Sequence, residues 1–511
     1  MYLYQKSADR MADKIAEAYR EAANHINSEM EKIFRTFREN GGLTVKEAKE
    51  LLNERPTMIR IQNLREYAKQ IKDPQKRQAV LNMLNAPAYA YRLERLERLQ
   101  EDIDRQTREL AEFEQKATGQ HYIDLAKRAY SRSMFDLQCG TGFLFPFPRM
   151  SAGRVLEILN YNWSGVTFSA RIWGRSQEVN RAIREELLVQ FMSNRSYRDT
   201  AKEIERRMAV GAYEARRLVR TESTNIANMA EIESYRESGI QKFRFSAVLD
   251  MRTSEICASL DGKTFELEEA QTGVNVPPMH PFCRSSTVAV IDGETAADLK
   301  RRARDPKTGE TYLVPADMTY RDWKKSIDEK YGAGTWDTER RKTVNRGSDK
   351  RQYEKYQNVL GRKNLPKSFD KFQELKYNDK EGWEDLKYYY RNINGRPIEY
   401  VKIDRELEKQ GITNKGKAYP VEDIEIKGWR EHAENRMKQS GINRKEALQI
   451  KSKAIAMMKQ YPNPQTLYNY YSENGVFGVR AENGIVQTVI AEDRIKNDTQ
   501  EAIEVMKKWL K

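Results

Sequence analysis

The feature that most limits what this chain can become is a long helical periodicity, interrupted near the middle by a turn-rich stretch. Between residues 8 and 38, Met11, Ile15, Ala18, Ala22, Ile26, Met30, Ile33 and Phe37 recur at steps of three or four. That spacing puts apolar side chains on one face of a helix. Asn40-Gly41-Gly42 is a stop signal, and Thr44 with Glu47 reads as a capping box. It opens a second helix carrying Val45, Ala48 and Leu51. Residues 90–118 predict a third, highly charged helix. Leu96, Ile103, Leu110 and Ala117 lie seven apart, with Leu99 and Phe113 between them. This is a short heptad seam, suited to a helical hairpin or an oligomer contact, but with only some three heptads an ordinary bundle helix is the preferred reading. Residues 176–239 return to helix behind a capping box at Ser196 and Asp199, and Gly239 closes it.

The other segments have a different texture. Residues 135–175 predict loops and short strands, from Cys139-Gly140-Thr141-Gly142 and the Phe143-Leu-Phe-Pro-Phe-Pro run. In 240–292, Phe243–Leu249 and Thr287–Ile291 read as strands, with turns and a cysteine–histidine cluster between them. Residues 294–425 read as a linker region with short helices and a compact piece around Phe369–Tyr400. Residues 426–511 read as helix, helix, strands, helix. The expected architecture is multi-domain α+β: a helical region at 1–150, a central α+β domain at 151–330, an intermediate region at 331–425 and a small α+β domain at 426–511.

Composition narrows the class. Of 511 residues, 39% are hydrophobic and 10% aromatic, too many for a disordered chain. Three cysteines cannot build a disulfide framework. No apolar run reaches the ~18 residues of a membrane span, and the first residues lack a signal peptide's apolar core. Lys plus Arg is 90 against 76 Asp plus Glu, a net +14 that favours polyanionic partners.

The central motifs are ordered. Arg220-Thr221-Glu222 lies on a predicted helix. Asp250-Met-Arg252-Thr253-Ser-Glu-Ile-Cys257 follows, then Leu260-Asp261-Gly262, then Pro278-Met-His280-Pro281-Phe-Cys283-Arg284 and a strand. Arg304-Asp-Pro-Lys-Thr-Gly and Met318-Thr-Tyr320-Arg-Asp-Trp323 come after. This order over about residues 170–330 resembles the phage Mu F-like minor head protein family, the head morphogenesis proteins of tailed phages. The resemblance implies a virion or prohead component, assembled in a bacterial host's cytoplasm. Its implied partners are portal and capsid proteins and double-stranded phage DNA, with no membrane and no obligatory cofactor.

Three residues in this stretch could ligate a metal: Cys257, His280 and Cys283 offer two thiolates and an imidazole. A closed zinc site wants four ligands. Ser254 and Ser285 stand where a Cys-x-x-Cys and a Cys-Arg-Cys would supply more, and Asp250 is a possible fourth. The competing reading, preferred on spacing alone, is a buried staple in which Pro277, Pro278 and Pro281 fix the loop and His280 hydrogen-bonds it. Arg216, Arg217 and Arg220 suit DNA phosphate or a salt-bridged helix equally. Lys300, Arg301, Arg302 and Arg304 form a charge block that suits phosphate binding or an ordinary solvated helix face.

In the last segment, His432 and Arg436 are four apart and share a helix face. A second helix is expected through Ala447, Ile450, Ala454 and Met458. Three strands should follow at 467–471, 476–479 and 485–490, turned by Asn474-Gly475 and Asn483-Gly484. This pattern resembles the barnase–EndoU–colicin–RelE-like ribonuclease fold, carried as a toxin-like tail on head proteins. The resemblance implies metal-independent RNA cleavage, with RNA and an immunity protein as partners. His432 would be the base, Arg436 the phosphate grip, Thr488 a donor to a phosphoryl oxygen, and Tyr470 a stacking or proton-carrying group.

Overall fold

The computed structural model describes residues 1–34, 43–54, 59–142, 146, 149–193, 195–291, 300–460 and 466–510. The stop signal at Asn40-Gly41-Gly42 and most of the Phe143–Pro148 run lie outside them. The chain forms two compact units, Met1–Gly332 and Ala333–Lys511. It is a multi-domain α+β protein.

The first unit starts with α1 (Tyr2–Phe34), α2 (Val45–Asn53), α3 (Leu64–Lys69), α4 (Pro74–Asn85) and α5 (Pro87–Thr141). Then come α6 (Ala152–Asn160), α7 (Phe168–Met192) and α8 (Tyr197–Glu237). The α1 stripe read from the sequence is buried: Ile15, Ile26 and Met30 have no exposed surface. It packs with Leu96 and Ile103 of α5, Ile183 of α7, and Ile204 and Met208 of α8. The helical N-terminal region and the motif helix therefore share one core. Thr44 and Glu47 form the expected capping box, and the Ser196 hydroxyl accepts from Asp199 N at the start of α8.

Two expectations change here. The 135–175 segment holds no described strand. Helix α5 runs on through Cys139 to Thr141, because Leu137 and Met134 continue its buried face and Gly142, at φ 68°, is the residue that ends it. Phe113, placed on the heptad seam, is 45% exposed. The turn beside it instead buries Glu114, ion-paired with Arg175.

After α8 come β1 (Lys242–Ser246), α9 (Glu255–Leu260), β2 (Thr264–Glu266), β3 (Ser286–Val290), β4 (Lys300–Arg304), β5 (Thr311–Pro315) and α10 (Tyr320–Tyr331). Strand β1 is central in an antiparallel sheet of order β2-β1-β3. Its Phe243 packs on Ile232 and Tyr235 of α8. The Lys300–Arg304 block is not a helix face: it is strand β4, paired with β5.

The second unit has α11 (Thr335–Val344), α12 (Arg346–Leu360), α13 (Phe369–Asn378), α14 (Lys380–Asn392), α15 (Ile398–Lys409), β6 (Lys417–Tyr419) and β7 (Gly428–Trp429). Next are α16 (Glu431–Gln439), α17 (Arg444–Ser452), β8 (Ala456–Gln460), β9 (Leu467–Ser472), β10 (Gly475–Arg480), β11 (Ile485–Ala491) and α18 (Asn497–Leu510). The six strands form one sheet of order β6-β8-β9-β10-β11-β7. All neighbours are antiparallel except β11 and β7. Helices α16 and α17 cover one face, where Ala433, Met437 and Ile450 meet Tyr470, Phe477 and Val489. Helices α15 and α18 cover the other, where Leu407 and Met506 meet Met458, Tyr471 and Val476. The sheet begins before residue 426: Arg396 and Asp404, both buried, bond the carbonyl and amide of Ala418 on β6. The second helix ends at Ser452, and Met458 lies on β8.

Candidate functional site

The site begins with an oddity of α8. A helix buried on one side should bury apolar groups there, yet Thr221, Ser223, Thr224, Asn225 and Asn228 are all buried. Several of them satisfy the backbone of the loop that leads into β3, which buried amides and carbonyls require. Phe282 N donates to Thr221 Oγ1 (3.1 Å), and Thr224 Oγ1 donates to Cys283 O (2.8 Å). Asn228 accepts from Thr287 N (3.1 Å) and donates to Ser285 O (3.5 Å). Gln5 of α1 joins this latch, donating to Thr224 Oγ1 (2.5 Å) and reaching Cys283 O (3.5 Å).

The loop itself is bent at His280-Pro281-Phe282-Cys283. Cys283 N donates to His280 O (3.1 Å), and Phe282 has φ 60°. Proline second and a positive φ third is the type II turn pattern, a position that glycine usually fills. The bend aims His280 and Cys283 at the same point. Cys257, in the first turn of α9, meets them there. Its sulfur is 3.4 Å from His280 Nε2 and 3.7 Å from Cys283 Sγ. All three ligand atoms lie within 4.8 Å of one another. Both sulfurs are buried with Phe245 and Ala247, while His280 is half-buried. Hydrogen bonding from Cys257 and His280 holds the Cys283 thiol well below its ordinary pKa, against the effect of burial. Its bond with Cys283, helped by burial, pushes Cys257 up. Sulfur bonding to Cys283 raises His280.

The remaining motif residues brace this cluster. Arg284 grips Asp250 through two bonds, of 2.5 and 2.8 Å. Asp250 is therefore not free to serve as a fourth metal ligand. Asp261, whose carboxylate is fully buried, accepts from Ala247 N (2.6 Å), Tyr320 N (2.7 Å) and Arg301 (3.1 Å). Gly262 follows with φ 81°, and a Cβ there would stand 2.9 Å from Thr319 Cγ2. Tyr320 OH donates to Asp250 O (3.0 Å), and Trp323, wholly buried, donates to Tyr312 OH (3.0 Å). The ordered motifs from Arg220 to Trp323 thus close on one another. Of these, Gln5 and the hub role of Asp261 were not read from the sequence. Leu260-Asp261-Gly262 marked the place but not its partners, which lie 14 to 59 residues away.

The basic candidates separate. Arg216 and Arg220 are bound to Asp9 and Asp13 of α1, so the salt-bridged reading holds for both. Arg217 pairs with Glu214 on the exposed side. On β4, Arg301 turns inward to Asp261 and is 14% exposed, which removes it from the phosphate-binding set. Lys300, Arg302 and Arg304 are exposed. They alternate with Arg301 and buried Ala303, so they share the solvent face about 7 Å apart.

In the second unit, His432 and Arg436 are exposed on α16, one turn apart, with Ala433 and Met437 buried between them and the sheet. Tyr470 lies beneath, fully buried; its hydroxyl donates to Glu422 O (2.6 Å). Burial pushes its pKa up to about 12. Thr488 does not join them. Its neighbour Val489 packs with Ala433 and Met437, so Thr488 points to the opposite face, in a row with Gly478 and Asn469. The four predicted catalytic residues are therefore divided between an exposed helix, the core, and the far side of the sheet.

Comparison with known proteins agrees with this picture of the first unit. Residues 181–288, from α7 through the latch to β3, match the family model described as Phage Mu protein F like protein. The chain thus carries a Phage Mu F-like domain within an α+β unit, which supports a phage head morphogenesis protein. One curated relative, the NAD(+)–arginine ADP-ribosyltransferase EFV of Enterococcus faecalis (strain ATCC 700802 / V583), is 22% identical over 182 residues. That stretch is 33% of this chain and 37% of the relative, so the chain spans about a third of that protein's length. No solved structure matches. Among the described residues, no helix is long and apolar enough to cross a membrane.

Proposed function

We propose that this protein is a minor head protein of a tailed phage or prophage, acting in head assembly beside portal, capsid and packaged DNA. What carries the reading is that the matched stretch, 181–288, coincides with the polar latch of α8 and its loop. The motif residues there hold a shape together, as an assembly part requires. Lys300, Arg302 and Arg304 give that unit a surface for duplex phosphate. The test is fractionation of phage particles made with the full chain or with a chain ending at Gly332. Both should sediment with proheads. Retention of the full chain alone would refute a head role for the first unit.

A second role belongs to the last unit: a ribonuclease effector, packaged and delivered by the head-like part. Exposed His432 and Arg436, one turn apart on α16 above a sheet, support this reading. In this reading His432 takes the 2′-hydroxyl proton and that oxygen attacks phosphorus. The bond to the 5′-oxygen breaks, and water protonates the leaving oxygen. Arg436 holds the phosphate in its planar fork. Tyr470 and Thr488 have no part in it. Full-length protein should degrade RNA in EDTA, and His432→Ala should slow this by roughly 10²-fold or more. Intact RNA after incubation with folded wild-type protein excludes the activity.

A further inference from the structure

We propose that Cys257, His280 and Cys283 bind one zinc ion, which closes the loop of the Mu F-like domain. The sequence argument against this was the missing fourth soft ligand. The structure adds three observations that spacing could not supply.

The first is distance. Zinc bonds sulfur at ~2.3 Å and imidazole nitrogen at ~2.0–2.1 Å, and a tetrahedral angle then sets two sulfurs about 3.8 Å apart and sulfur and nitrogen about 3.6 Å apart. The protein has 3.7 Å between the sulfurs and 3.4 Å from Cys257 Sγ to His280 Nε2. The second is the imidazole's orientation. His280 Nδ1 lies 2.8 Å from Pro281 O. A carbonyl can only accept, so Nδ1 carries a proton, and Nε2, which bonds sulfur when no metal is bound, is the nitrogen left to take an ion. A backbone carbonyl fixing the far nitrogen is how metal-binding histidines are held. The third is the turn at His280–Cys283, where a bulky residue occupies the left-handed region at φ 60°. That conformation is unfavourable for a residue with a Cβ, and its effect is to bring both donors to one point.

The fourth position belongs to water or a serine hydroxyl. Ser254 Oγ accepts from Cys257 N (3.2 Å), which keeps one hydroxyl beside the cluster, and half-buried His280 leaves the cluster reachable from solvent. Asp250 is excluded by its grip on Arg284. The role inferred is structural. The ion would tie α9 to the β3 loop where Phe245, Ala247 and the two cysteines give only a small apolar cluster.

The experiment uses the full chain, produced with zinc in the medium and purified without chelator. Elemental analysis should find about one zinc per chain. Cys283→Ser and His280→Ala should lower this at least about fivefold, while Cys139→Ser, at an exposed position of α5, should leave it unchanged. Cobalt substitution of wild-type protein should give the intense visible bands of a tetrahedral thiolate site, a readout that does not depend on any variant folding. Ser254→Cys, which completes a Cys-x-x-Cys, should slow metal loss to a chelator at least about tenfold. The proposal is overturned if wild-type protein carries less than about a tenth of a zinc per chain and takes up no cobalt. It is also overturned if Cys283→Ser retains full zinc, or if freshly isolated protein proves to hold a Cys257–Cys283 disulfide.

Discussion

Replacing Arg284 by methionine tests how much of the first unit depends on the bracing around its loop. Methionine keeps the aliphatic stem but removes both bonds to Asp250. The Asp250 side chain is 8% exposed and that of Arg284 20%. Removing one partner of a fully buried pair costs about 3–5 kcal/mol, because the other charge is left without compensation. Here the penalty is smaller. Asp250 keeps hydrogen bonds from Arg252 N (2.9 Å) and Thr253 Oγ1 (3.3 Å), and the arginine edge meets water. We expect a loss of about 2–3 kcal/mol. A chain with two compact units does not unfold in one step, so the loss should be read locally, by hydrogen exchange with mass spectrometry. Peptides covering 247–262 and 277–290 should exchange about 30–150-fold faster, and peptides in 431–491 should not change. Adding Asp250→Asn, which removes the stranded charge, should restore much of the protection. Acceleration below about threefold in Arg284→Met would refute the claim that this pair holds the loop.

Other outcomes follow from the same geometry. Burial lowers the His121 pKa from 6.5 to about 4, with Nε2 3.1 Å from Ser223 Oγ. The folded state resists the proton that the unfolded chain accepts, so stability is full above about pH 6.5 and falls as pH drops toward 4, by up to about 3 kcal/mol. Thermal melts across this range should steepen in wild type and flatten in His121→Gln; equal slopes would contradict the assignment. Gly262→Ala must strain a φ of 81° and press on Thr319, costing about 2 kcal/mol in a melt of the first unit; a neutral result would show that the turn relaxes freely. Changing Lys300, Arg302 and Arg304 together to glutamine should reduce the salt slope of duplex DNA binding by about 2.7, from roughly 0.9 per phosphate. An unchanged slope would place the DNA contact elsewhere.

What the sequence disclosed was local. The box at Thr44 and Glu47, the N-cap at Ser196, the strands beginning near Phe243 and Thr287, and the hairpins at Asn474 and Asn483 all depend on residues close together or on period-two alternation. Where two periodicities fit, the reading failed. Ala454 and Met458 suit a helix at i, i+4 and a strand at even steps, and pairing with Asn469 decided for the strand. Lys300-Arg-Arg-Ala-Arg offers a strand signal only through Ala303, so β4 was hidden by its charge. The side of Thr488 depends on parity along β11 and on the irregularity opposite Gly478 and Val479, which no motif encodes. For the cysteine–histidine cluster, spacing showed which donors exist. Only the φ of Phe282 and the carbonyl of Pro281 showed that they point at one another.

The link from Gln5 to Thr224 and to the Cys283 carbonyl spans 219 and 278 residues of chain. On the ribosome, α1 is therefore made long before the surface that covers it. At about 5–20 residues per second, its apolar stripe waits for roughly ten to forty seconds before α8 emerges. During that interval it is a candidate for chaperones, or for another nascent copy of the same helix. The stretch that matches the Phage Mu F-like family model, 181–288, is accordingly smaller than the compact unit it belongs to. A fragment cut to those bounds would leave bare the side of α8 that α1 normally shields, and its solubility would report on the missing helix rather than on the domain.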